Sequence, residues 1–120
     1  MTESTKNPRA ALYARVSTTG HGQDVGLQVD ELRQVAVQRG WQVVEEYIDE
    51  GISGTKANRP ALDAMLDAAR LGKLDLVVVW KLDRLGRSIQ HLLTILDELQ
   101  HLGVGFVSVR DAGIDTISAT

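Results

Sequence analysis

The stretch YARVSTTGHGQ carries a phenol, a guanidinium and a hydroxyl on alternate positions: Tyr13, Arg15 and Ser17 interleave with Ala14 and Val16. This is the period-2 pattern of a half-buried strand, which sets the three polar side chains on one face. From Thr18 to Gln23 the residues turn small and polar, so Ser17 is expected where a strand meets a loop. A second stretch, WKLDRLGRS, holds Lys81, Arg84 and Arg87 within seven residues, with Asp83 among them. A helix starting near Leu82 puts Arg84 and Arg87 on a common face, because residues three apart are helical neighbours. Arg15 and Arg59 add to this group of cations. Guanidinium groups grip phosphate oxygens in pairs and stay charged, so such a cluster suits a phosphate whose negative charge grows during reaction.

Each feature has an ordinary reading as well. An arginine on an exposed helix is usually a solvated residue, and DRLGR alone fits a surface ion pair of little energetic weight. A serine after a strand is more often a turn or cap residue than a nucleophile. His21, His91 and His101 lack metal-ligand spacing; the last two read as helix-surface residues and His21 falls in the loop after Ser17. GISGTK has two residues between its glycines, and Thr55 precedes Lys56, so it departs from a nucleotide phosphate loop, which needs four and an immediate lysine. No G-x-G-x-x-G follows the first strand either. What favours the chemical reading is coincidence of position, since these features all fall at expected strand ends.

The elements that must hold them alternate along the chain. AALYARV (10–16), WQVVEEYI (41–48), LDLVVVW (74–80) and VGFVSV (104–109) read as strands, the third apolar enough to be buried on both faces. Between them the spacing predicts three helices. The first runs from Asp24 to Arg39, with Leu27, Leu32, Val35 and Ala36 inward and Gly40 just past its end. The second opens on Pro60, buries Leu62, Met65, Leu66 and Ala69, and closes at Gly72. The third, with Ser88 as a candidate cap, carries the stripe Leu92, Ile95, Leu96, Leu99 and Leu102 before Gly103. Strand–helix alternation of this kind predicts an α/β fold of three layers, a mostly parallel central sheet of four to five strands with helices on both faces. Ligands of such sheets sit beyond the carboxyl ends of the strands, where the marked residues fall.

Composition narrows the functional classes. One domain is expected from 120 residues, with 1–9 a disordered arm and 10–120 the folded unit. Without cysteine there are no disulfides and no thiolate metal sites. The polar leader MTESTKNPRA lacks the apolar centre of a signal peptide, so secretion is not expected. A net charge of -3 argues against a surface that is basic throughout, and any anion site must be a local concentration of cations.

YARVST, then DEGISGTKANRPAL, then VVVWKLDRLGRS, in that order and spacing, resemble the catalytic domain of the serine recombinases, the resolvase/invertase family. The resemblance implies a site-specific recombinase acting on DNA in the cytoplasm. Ser17 would attack the scissile phosphate to give a 5′-phosphoseryl bond and a free 3′ hydroxyl, followed by strand exchange and religation, with no cofactor, metal or nucleotide. It implies that Arg15, Arg84 and Arg87 hold the phosphate, that Tyr13 and Asp83 share the site, and that Arg59, Gln28, Lys56 and Lys81 assist on the DNA phosphate side. The loop after Ser17 is longer than in short resolvases, so Gln23 competes with Gln28 for its role. No histidine is marked as general base, which leaves a hydroxyl acidified by arginine, or Asp83. The family continues past IDTISAT into a long dimerisation helix and a DNA-binding domain, and works as a homodimer and a synaptic tetramer. The 120 residues alone are therefore expected not to recombine DNA. The competing reading is a recombinase-derived interaction module without catalysis.

Overall fold

The structure is a computed structural model, described over residues 8–15, 22–49, 60–81 and 89–111, with side chains of the first helix described from Gly26. Strands β1 (Arg9–Arg15), β2 (Gln42–Asp49), β3 (Leu76–Val79) and β4 (Gly105–Ser108) alternate with helices α1 (Gly22–Arg39), α2 (Pro60–Arg70) and α3 (Ile89–His101). The strands form one parallel sheet in the order β2-β1-β3-β4. Arg9, expected in the N-terminal arm, is the first residue of β1, and the Pro8 carbonyl accepts the Gln42 N–H at 2.8 Å; residues 1–7 of that arm lie outside the described residues.

Two apolar clusters lie on opposite faces. Leu32 and Ala36 of α1 pack with Ala10, Leu12, Leu76 and Val78 on one. On the other, Leu62 and Met65 of α2 and Ile95 and Leu99 of α3 pack with Tyr13 and Val77. β1 is thus covered twice, and Ala10 to Ala14 are all buried. The half-buried strand expected there is corrected: Ala10 to Ala14 alternate between two faces, and both are buried because α1 covers one and α2 and α3 the other. Two stripe positions are corrected as well. Leu27 is 66% exposed, and Leu102, just past the end of α3, is 38% exposed.

The helix ends follow from glycine. Gly40, Gly72 and Gly103 all have φ near +76°, a left-handed conformation that other residues enter at a cost. After α1, Gly40 N–H donates to Val37 O and Trp41 N–H to Ala36 O. This paired closure satisfies carbonyls that the helix leaves open. α2 and α3 close in the same way on Ala68 and Ala69 and on Leu99 and Gln100.

β2 has its own irregularity. Ala10 pairs with Val43 but Ala11 with Glu45, so one extra residue bulges into β2. Val44 and Tyr47, three apart, consequently both pack against the α2–α3 side, which strict alternation forbids. Downstream, the shifted register sets Arg15 opposite Asp49.

Candidate active site at the carboxyl edge of the sheet

Arg15 is the last residue of the inner strand β1, and its partner in register, Asp49, is the last residue of β2. Asp49 is 2% exposed. Its Oδ1 accepts the Ala61 N–H at 2.9 Å, and its Oδ2 accepts the Leu62 N–H at 3.1 Å and the Tyr13 hydroxyl at 2.8 Å. The first N–H groups of a helix have no partner within it, and Pro60 at the first position has none to offer. Asp49 therefore caps α2 from across the sheet, and a carboxylate there also suits the positive end of the helix dipole.

Tyr13, expected among the catalytic groups, is fully buried in the α2–α3 cluster. Its hydroxyl serves Asp49, so the phenol fixes the carboxylate beside Arg15 and ties β1 to the start of α2. Gln28, on the first half of α1, is 1% exposed, and its Nε2 donates to the carbonyl of Arg15 over a long 3.5 Å. Lys81, two residues past β3, is exposed and has its Nζ 5.6 Å from the centre of the Trp80 ring. Tyr13, Arg15, Gln28 and Lys81 thus belong to one edge of the sheet. Ser17, Lys56, Arg59, Asp83, Arg84 and Arg87 lie outside the described residues, as do His21 and Ser88.

Sequence reading missed Asp49, whose only mark is an acid at the end of a strand-like run eleven residues before Pro60. Its bonds to Tyr13 and α2 depend on a register that the bulge sets. It also missed Glu31 and Arg110, which meet at Trp80 on the same edge. No group of three or more histidine or acidic side chains among the described residues is arranged to hold a metal. A cleft of about 500 Å³ between β2 and α2, lined by Val44, Tyr47, Ala68 and Leu71, contains none of the candidate residues. No helix among the described residues is long and apolar enough to cross a membrane.

Residues 10–120 match the family model described as the resolvase N-terminal domain. The Tn552 DNA-invertase BinR of Staphylococcus aureus is 42% identical over 99 residues, which is 82% of this chain and 46% of that protein. The serine recombinase gin of Escherichia phage Mu is 43% identical over 106 residues, 88% of this chain and 49% of its own length. This chain accordingly spans about half the length of the curated relatives it matches. Among solved structures, the N-terminal catalytic domain of TP901-1 integrase superposes with a TM-score of 0.81 at 38% identity, covering 92% of this chain and 83% of that one. A resolvase family site-specific recombinase from Streptococcus pneumoniae gives 0.83 at 31%, covering 95% and 78%. With a family model spanning all but the first nine residues and a fold shared with these catalytic domains, the chain belongs to the resolvase N-terminal domain family of serine recombinases.

Proposed function

We propose that this chain is the catalytic part of a site-specific DNA recombinase and that Ser17 is its nucleophile. The observation that carries the reading is the carboxyl edge itself. Arg15 closes an inner strand, braced in register by a buried carboxylate, two residues before Ser17. Phosphoryl transfer needs mainly positioning and stabilisation of charge, so a rigid strand end is a good mount for a first guanidinium. In the proposed reaction the Ser17 oxygen bonds to the scissile phosphorus, and the bond from phosphorus to the 3′ oxygen breaks. The serine gives up its proton, and the leaving oxygen takes one up as a free 3′ hydroxyl. Arg15, Arg84 and Arg87 stabilise the phosphate as its charge builds, with Asp83, Lys56, Arg59, Gln28 and Lys81 around them. Tyr13 contributes by holding Asp49. Reversal by the exchanged 3′ hydroxyl restores the serine. No cofactor enters, and the assembled enzyme works on DNA as a homodimer that pairs into a synaptic tetramer.

The test uses the protein expressed from its complete reading frame and a nicked DNA bearing its site. Wild-type protein should yield a covalent protein–DNA species on a denaturing gel, in the presence of a metal chelator. Ser17→Ala should fold and give none. Arg15→Lys, Arg84→Lys and Arg87→Lys should each slow the adduct far more than they weaken binding, because they keep charge but lose the planar fork. Adduct formed by the alanine variant would overturn the assignment of Ser17.

A further inference from the structure

We infer that Glu31, Trp80 and Arg110 form a clamp that positions the exit of β3, and with it Lys81, relative to the exit of β1; the inference rests on the recombinase reading. Trp80 leaves the sheet directly after β3, with its ring packed against the α1-side cluster. Its Nε1–H donates to Glu31 Oε1 at 2.7 Å. The same oxygen accepts Arg110 Nη2 at 3.0 Å and Nε at 3.2 Å. Arg110 is tied back twice more, by its backbone N–H to the Trp80 carbonyl at 2.8 Å and by its guanidinium 5.5 Å from the ring centre. Lys81 sets its ammonium over the same ring at 5.6 Å. Cations are drawn to the electron-rich face of an indole, so the ring restrains two basic side chains while Glu31 restrains the ring.

The geometry gains its meaning from α1. Gln28 and Glu31 are three residues apart, one helical turn. Gln28 reaches the carbonyl of Arg15, and Glu31 reaches Trp80 and Arg110. One turn of one helix thus references both strand exits, from which the chain runs on to Ser17 and to Arg84 and Arg87 respectively. A nucleophile and its phosphate ligands must be registered to within a fraction of an ångström, and a displacement near 1 Å can cost about a hundredfold in rate. None of the three clamp residues need touch the phosphate, so they are positioning residues.

Two readouts test this on the complete protein: amide hydrogen exchange at Val109 and Arg110, whose N–H groups bond to Val79 and Trp80, and the rate of covalent adduct formation on nicked DNA. Trp80→Ala risks misfolding, so the variants are Trp80→Phe, which keeps a ring but loses its N–H, and Glu31→Ala beside Glu31→Gln, which keeps an acceptor. Trp80→Phe and Glu31→Ala should speed exchange at the two amides and slow the adduct by about tenfold, with DNA affinity within about twofold and Glu31→Gln restoring part of the rate. Unchanged exchange, or faster exchange with an unchanged adduct rate, overturns the clamp. Equal losses in binding and rate also overturn it, since these residues would then be DNA contacts. Wild-type protein that forms no adduct overturns the recombinase reading instead, and the clamp is then judged by exchange alone.

Discussion

The two edges of the sheet are built differently. At the amino edge the helix-to-strand connections are short: 40–41, 71–75 and 102–104. They close on glycines with paired backbone bonds, and the polar side chains there are spent on one another. Arg9 donates from Nε and Nη2 to the Asp75 carboxylate and from Nη2 to the Gly72 carbonyl, with the pair 42% and 46% exposed. At the carboxyl edge the strand-to-helix connections are 16–21, 50–59 and 80–88, and they carry most of the residues marked for chemistry. At the exits of β1 and β2 the polar braces are buried, Asp49 opposite Arg15 and Gln28 against the Arg15 carbonyl, while the Glu31–Arg110 pair at the β3 exit stays partly exposed. One edge holds the chain together with exposed pairs that water weakens. At the exits of β1 and β2 the other orients groups with hydrogen bonds from buried side chains, where each bond constrains more and its loss matters more.

If that contrast is right, Asp49→Ala should be the most damaging single change at either edge. It removes an acceptor from two helix N–H groups and from a buried phenol, and should destabilise by about 3 kcal/mol in urea unfolding. Asp49→Asn keeps one oxygen and should fall near half that. A loss below that of an ordinary surface change would show that α2 finds another cap.

Tyr13→Phe is the sharper cut, because ring packing stays and only the hydroxyl leaves. Destabilisation of about 1 kcal/mol is expected, since Asp49 Oδ2 retains the Leu62 N–H. A fall in adduct rate without loss of DNA affinity would accompany it if the phenol steadies the site through Asp49.

At the amino edge, Asp75→Asn should shift Tm by less than Tyr13→Phe and lose even that shift in high salt. The pH dependence follows the same logic. The Arg9 hydrogen bond holds the Asp75 carboxyl below its usual range, and those to Arg33 and Arg70 do the same for Glu46 and Glu98. A depressed carboxylate stabilises fully above its unfolded pKa of about 4 and loses that contribution as pH falls through its folded value. The wild type should therefore lose stability progressively below about pH 4, and Asp75→Asn should lose slightly less over that interval. An identical acid slope in the variant would mean that the exposed pair contributes nothing.

Much was legible without coordinates because it depends on neighbours in sequence. The glycines after each helix, Pro60 at the start of α2, the inward face Leu62, Met65, Leu66 and Ala69, and the apolar run of β3 are local signals, and each is found where expected. The family was legible too, since three motifs in order carry it. The exposure of Leu27 was not, because a periodic stripe says which way a residue points and not whether anything lies opposite. Nor was the burial of both faces of β1, which follows from α1 packing on one side of the sheet and α2 and α3 on the other. Asp49 and the meeting of Glu31 with Trp80 and Arg110 belong to the same class. Asp49 accepts from Tyr13 36 residues away, and Glu31 from Arg110 79 away. Sequence alone determined the elements, the family and the residue types at the strand ends, because chain-local sterics and solvation dictate them. Strand order and the bulge in β2 decided which of those side chains meet, since register is fixed only when the whole sheet packs.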